Sequence, residues 1–227
     1  MSLSFHQQLV QQTAADEAAF RAIPVILRAV TLGVDRDLYV EFLASAYHHV
    51  RHTCPLLGLA LSRCDLDDAA YRAGLLAYLD EEKGHEEWIL DDIRALGGDA
   101  DRVRLTLAPL AVRVMVAYAN YAIEHISPYA LLGMVHVLEG MSVALARAAA
   151  GAIGATLAVE ARAGGFSYLN SHGHLDESHV ELFAKLLDQI DTPDRREVVI
   201  QAAKDFYRLY GDVFRALAPN SETRHAA

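Results

Sequence analysis

Cysteine, proline and tryptophan are scarce in this chain, with two, six and one residues respectively among 227. The two cysteines, Cys54 and Cys64, lie ten apart in one helical stretch. At a rise of about 1.5 Å per residue that separation is too long for a bridge along a straight helix. A disulfide-stapled fold is therefore excluded, and the thiols are expected to be buried in a reducing compartment. Six prolines and 14 glycines are too few for a disordered or turn-rich chain. Basic residues are outnumbered by acids, 20 to 30, and form no stripe, so a nucleic-acid partner is not expected. Met1–Gln12 lacks the charged-then-apolar plan of a signal peptide. The most apolar run, Tyr129–Ala163, is interrupted by His136, Glu139, Arg147 and Glu160, which argues against a membrane span. The expectation is a cytoplasmic protein with no membrane partner.

What is present is a 53% apolar composition with apolar positions recurring at helical spacing. This predicts one all-α domain over residues 1–227, with 219–227 a frayed tail. A first helix is expected over Phe5–Arg21, with Phe5, Leu9, Ala14 and Phe20 inward. A short one follows from Pro24 to Gly33. Asp35 or Asp37 is expected to cap a long helix to Cys64, kinked at Pro55. His49 and His52 share its face with Leu38 and Phe42, and read best as buried or half-buried, hydrogen-bonded histidines. Asp65–Asp68 opens a helix to Leu96, and Asp99–Val103 reads as a loop. Leu105–Ile126, Tyr129–Leu157 and a last helix from Thr192 or Asp194 to Leu217 complete the pattern.

The chemistry concentrates in Asn170–Glu181, N-S-H-G-H-L-D-E-S-H-V-E, read as a helix opened by Asn170 or Ser171. At about 100° per residue, Asp176 lies about 40° from His172 and His179 about 20° to its other side. These three form one stripe, and His174 faces away. Such a stripe supplies half of a dinuclear metal site, or it is a solvated helix start rich in histidine. Two more segments offer partners. In D-E-E-K-G-H-E-E-W (Asp80–Trp88), Glu82 or Glu81 can stand beside His85, and Gly84 suggests a close neighbour. Glu139 sits in the most apolar helix, where a carboxylate needs a cation, a proton or strong donors. Mixed imidazole and carboxylate ligation suits iron or manganese. A ferritin-like site would repeat E-x-x-H on two helices, whereas that order occurs once here.

Together with Y-H-H-V-R-H-T (Tyr47–Thr53), L-E-G (Leu138–Gly140) and Y-R-L-Y-G (Tyr207–Gly211), this pattern resembles the haem-oxygenase-like di-iron oxidases and oxygenases, or iron-containing redox enzymes. They share a fold with TenA and pyrroloquinoline-quinone synthase. The resemblance implies a bundle of seven to eight helices. It implies two iron ions (manganese is possible) on Glu82, His85, Glu139, His172, Asp176 and His179, with Glu82, Glu139 and Asp176 in catalytic roles. The E-x-x-H spacing is most like that of the alkene-forming medium-chain fatty-acid decarboxylase. The expected partners are dioxygen and a small aliphatic, fatty-acid-like or amine-bearing substrate, and the expected assembly is a homodimer. Asp92 and Tyr210 are candidate supports for the ligands, and Arg51, Arg113 or Arg147 candidate carboxylate anchors. The alternatives are a non-catalytic metal- or haem-binding helical protein and a TenA-like metal-independent hydrolase. TenA enzymes use a cysteine in the C-terminal half, whereas both cysteines here precede residue 65.

Overall fold

The computed structural model describes residues 3–158 and 164–217, with 172–180 described in backbone only. Every regular element among them is helical. Helix α1 (Phe5–Arg21) opens on a capping box in which Ser4 and Gln7 exchange side-chain and backbone hydrogen bonds. Its buried side is Phe5, Leu9, Thr13 and Phe20. Ala14, expected to face inward, is exposed. Steps of four residues from Phe5 carry the buried stripe through Leu9 to Thr13. The Thr13 hydroxyl donates to the Leu9 carbonyl at 2.8 Å, which satisfies it inside the core. Helix α2 (Pro24–Thr31) starts on its proline and stops before Gly33, as expected.

The long helix expected to Cys64 is two, α3 (Arg36–Val50) and α4 (Thr53–Arg63). The break falls at Arg51–His52, not at Pro55. A proline lacks the N–H and collides with the carbonyl four residues earlier, so the chain restarts with Pro55 in a first turn. The helix expected from Asp65 to Leu96 is likewise two, α5 (Ala69–Glu82) and α6 (His85–Ala95). Gly84 separates them at φ +88°, in the left-handed region. A Cβ there would meet nothing within 4 Å, so this glycine serves backbone conformation and not the close contact expected. The expected loop at Asp99–Val103 is helix α7 (Ala100–Leu105), with the Asp99 carboxylate accepting from the Arg102 N–H at 2.9 Å. Helix α8 (Leu110–Tyr121) starts later than expected, after Pro109, and ends in a π-helical turn over Ala122–Ile126. These divisions make more segments than the seven to eight expected.

The bundle is organised around α9 (Ala130–Leu157), which packs against α10 (Ser167–Asp188), α11 (Pro193–Ala216) and α2. It runs unbroken through Gly151 and Gly154. Gly133 allows its closest approach to α11, since a Cβ there would lie 2.6 Å from the Val199 carbonyl oxygen. By length and composition α9 could cross a membrane, but 56% of its most apolar window is buried by the other helices. Phe206, Tyr207 and Tyr210 of α11 are buried as expected, and Phe214 is half-buried.

Helix α10 begins at Ser167, a turn before the Asn170 or Ser171 cap expected. Its cap comes from elsewhere in the chain. The two carboxylate oxygens of Asp92, on α6, accept from the Ser167 and Tyr168 N–H groups, each at 2.8 Å. These are two of the donors a helix start leaves open. Asp92 is therefore a remote helix cap. Burial pushes its carboxyl above the ordinary range, and the backbone donors of Tyr168 and Ser167 pull the other way.

Candidate metal centre

Glu82 ends α5 and His85 begins α6, so the two do not stand on one continuous helix face. The left-handed Gly84 turns the chain between them and still leaves His85 Nδ1 3.2 Å from Glu82 Oε2. Both are buried, at 3% and 4% exposure. Glu81, the other acid offered by the sequence, is exposed. The His85 ring stacks on Trp88, centroids 4.1 Å apart, which limits its rotation. Glu139 rises from the middle of α9 and is also buried. It accepts a hydrogen bond from Tyr78, one turn before Glu82 on α5. Tyr78 is held edge-on to Phe183 of α10.

Glu82 and Glu139 line one cavity of about 120 Å³. Its wall is otherwise largely aliphatic and aromatic, including Val34, Leu38, Phe42, Leu145, Ile153 and Phe214. Among the described residues no lysine or arginine lines it. Arg51, Arg113 and Arg147, the anchors considered for a substrate carboxylate, are all exposed and outside the lining. His49 does line the cavity, buried and edge-on to Tyr210 at 5.7 Å. Its shared face with Leu38 and Phe42 was the sequence signal. The part played by Tyr78 was signalled only by its place one turn before Glu82.

The side chains of His172, His174, Asp176 and His179 lie outside the described residues. Their backbone occupies the second to fourth turns of α10, not a helix start. Helix α10 packs on α5, α6 and α9, the elements that carry Glu82, His85 and Glu139. Among the described residues no three His, Cys, Asp or Glu side chains group closely enough to hold a metal ion. Glu82, His85 and Glu139 thus require further donors. Their chemistry nevertheless fits a cation. Two carboxylates and an imidazole are buried close together, a donor set of the hard oxygen and imidazole nitrogen type that suits iron or manganese.

Helices enclosing buried acid and imidazole groups beside an apolar cavity define an all-α, haem-oxygenase-like protein. The chain belongs to a family described as iron-containing redox enzymes, whose model matches residues 40–211. Solved structures agree on the fold. A domain with a haem-oxygenase-like fold from Shewanella denitrificans OS217 aligns with TM-score 0.84 at 18% identity, covering 96% of this chain and 93% of that one. A TenA homologue from Pseudomonas syringae pv. tomato aligns with TM-score 0.77 at 12% identity, covering 94% and 92%. The haem-bound haem oxygenase-1 of the cyanobacterium Synechocystis aligns with TM-score 0.73 at 10% identity, covering 95% and 93%. No curated protein matches the chain.

Proposed function

We propose that this protein is a non-haem di-iron, dioxygen-dependent oxidase or oxygenase. Its ions would be held by Glu82, His85, Glu139, His172, Asp176 and His179, with manganese a possible substitute. The observation that carries this reading is that Glu82 and Glu139, from two different helices, face one apolar cavity, with His85 Nδ1 3.2 Å from Glu82 Oε2. Bound iron would supply dioxygen activation and the oxidation of a substrate held beside it.

The remaining work belongs to the chain. Tyr78 orients the Glu139 carboxylate through its hydroxyl, and the Trp88 stack orients His85. The apolar wall binds an aliphatic portion of the substrate and excludes water. We take the substrate to be a small aliphatic, fatty-acid-like or amine-bearing molecule, the class that such a wall and the E-x-x-H resemblance both favour. With Arg51, Arg113 and Arg147 at the surface, a carboxylate head would have to be received at the ion end of the cavity.

The test is anaerobic iron loading followed by exposure to oxygen. The expected result is iron bound to the chain, a transient visible absorption and oxygen consumption. Iron binding without oxygen consumption would favour a storage or sensing protein, and turnover unaffected by chelators a TenA-like hydrolase. A homodimer remains part of the proposal, and sedimentation at micromolar concentration checks it.

A further inference from the structure

Twelve large apolar side chains are exposed among the described residues, and half of them lie in one short stretch. Leu105, Leu107, Leu110, Val114, Tyr121 and Ile126 run from the end of α7 to the end of the π-helical turn. They therefore form a patch and not a scatter of single residues, which would need no explanation. Within α8, Leu110, Val114, Ala117 and Tyr121 follow at steps of four, three and four, and so share one stripe. Val112, Met115, Val116 and Ala119 are buried on the other side, where α8 packs against α11 and α3. The stripe itself stays in solvent, with Leu110 64%, Val114 45% and Tyr121 56% exposed.

We propose that this face is where two copies of the chain pair, with α8 antiparallel to its copy about a twofold axis between Val114 and Ala117. The proposal gives the homodimer reading above an interface, and it does not depend on the metal. In this arrangement Val114 meets the partner's Ala117 and Leu110 meets the partner's Tyr121, so large side chains face small or flat ones. The area suits a stable pair. With fully exposed side chains of this size presenting roughly 150–250 Å² each, the six at 45–85% exposure offer on the order of 700 Å². A standard interface buries roughly 800 Å² per partner, so the six supply most of one side.

The charge pattern points the same way. Two copies of a chain with net charge −10 repel, yet residues 102–123 contain no aspartate or glutamate. The polar side chains beside the stripe turn onto their own backbone. Arg113 Nε donates to the Ala108 carbonyl at 3.1 Å, and Asn120 Nδ2 to the Val116 carbonyl at 2.8 Å. A lipid surface is the other apolar partner such a face could meet. The net charge disfavours anionic headgroups. Ala117 at the centre gives a membrane little to bury, but it lets two helices approach closely.

The experiment is sedimentation equilibrium of the full chain from nanomolar to micromolar concentration. Val114→Asp and Ala117→Asp each set two carboxylates against one another across the axis. Each is expected to raise the dimer dissociation constant by about tenfold or more. Leu32→Asp, at an exposed apolar position on another face, is expected to leave it within about twofold. An unchanged constant in both folded α8 variants overturns this interface and leaves a homodimer that pairs elsewhere. A monomeric wild type overturns the homodimer itself, and its retention on phosphatidylcholine vesicles would assign the face to lipid. Neither result bears on the metal site, which iron loading tests separately. If an aspartate variant loses its helical circular dichroism, cross-linking decides. In a Cys54→Ala, Cys64→Ala chain, Ala117→Cys should be joined into dimers by a short thiol reagent, and Leu32→Cys should not. Failure of Ala117→Cys to cross-link overturns the pairing.

Discussion

The hydroxyl of Tyr78 donates to the carboxylate of Glu139, joining α5 to the centre of α9 one turn before Glu82. A hydrogen bond to a buried charged acceptor contributes about 1.5–3 kcal/mol, more than a neutral pair in the same place. Tyr78→Phe should therefore destabilise the metal-free protein by about that amount in urea unfolding. The deficit should shrink once Co²⁺ is bound, because the cation then offsets the carboxylate charge. A deficit equal with and without metal would show that Glu139 does not meet the ion.

The turn between Glu82 and His85 depends on a backbone conformation that side chains resist. Gly84→Ala should cost about 1–2 kcal/mol, the penalty for an L-residue in the left-handed region. Gly84→Asn should cost less, because asparagine tolerates that region better. Co²⁺ affinity should fall in the same order, since the turn sets the 3.2 Å approach of the two ligands. Equal affinity in all three proteins would separate the turn from the site.

Asp92 holds the start of α10 from α6. Asp92→Ala leaves the Ser167 and Tyr168 N–H groups without that acceptor, at a cost of about 1–3 kcal/mol. Amide exchange should accelerate at Ser167 and Tyr168 before it does in the middle of α9. Unchanged exchange at the α10 start would remove Asp92 from this role.

His136 gives a pH dependence whose sign follows from its depressed pKa. The ring binds a proton near its ordinary value of 6.5 when unfolded, but only at about 4 when folded. Its contribution to stability is thus fully present above pH 6.5 and is lost as the pH falls toward 4. His136→Leu should flatten the fall in urea stability between pH 6.5 and pH 5. A variant that loses stability across this interval as steeply as the wild type would contradict the assignment.

Metal content discriminates among the histidines of α10. His179→Ala is expected to remove one ion per chain and oxygen-dependent chemistry with it. His174→Ala, on the opposite face of an ideal helix, is expected to leave the content near wild type. Metal analysis after anaerobic loading reads both, and a reversed result would rotate the proposed stripe to the other face.

Much of the architecture was legible because its causes are local. The 3.6-residue spacing from Phe5 through Leu9, the proline at the start of α2 and the apolar length of Ala130–Leu157 each specify a helix without reference to the rest of the chain. The residue types that point to metal chemistry were equally visible in Glu82, His85 and Glu139. Tertiary structure decided what depends on groups distant in sequence or on fine backbone geometry. A glycine inside an acidic helical pattern reads as a weak point, and only the folded backbone shows that φ +88° at Gly84 ends one helix and starts another. The cap of α10 comes from Asp92, 75 residues before Ser167, so no local signal could place it. Glu81 and Glu82 are equivalent by spacing. The packing of α5 buries Glu82 and leaves Glu81 in water, because a helix has one face toward its neighbours and consecutive residues point about 100° apart.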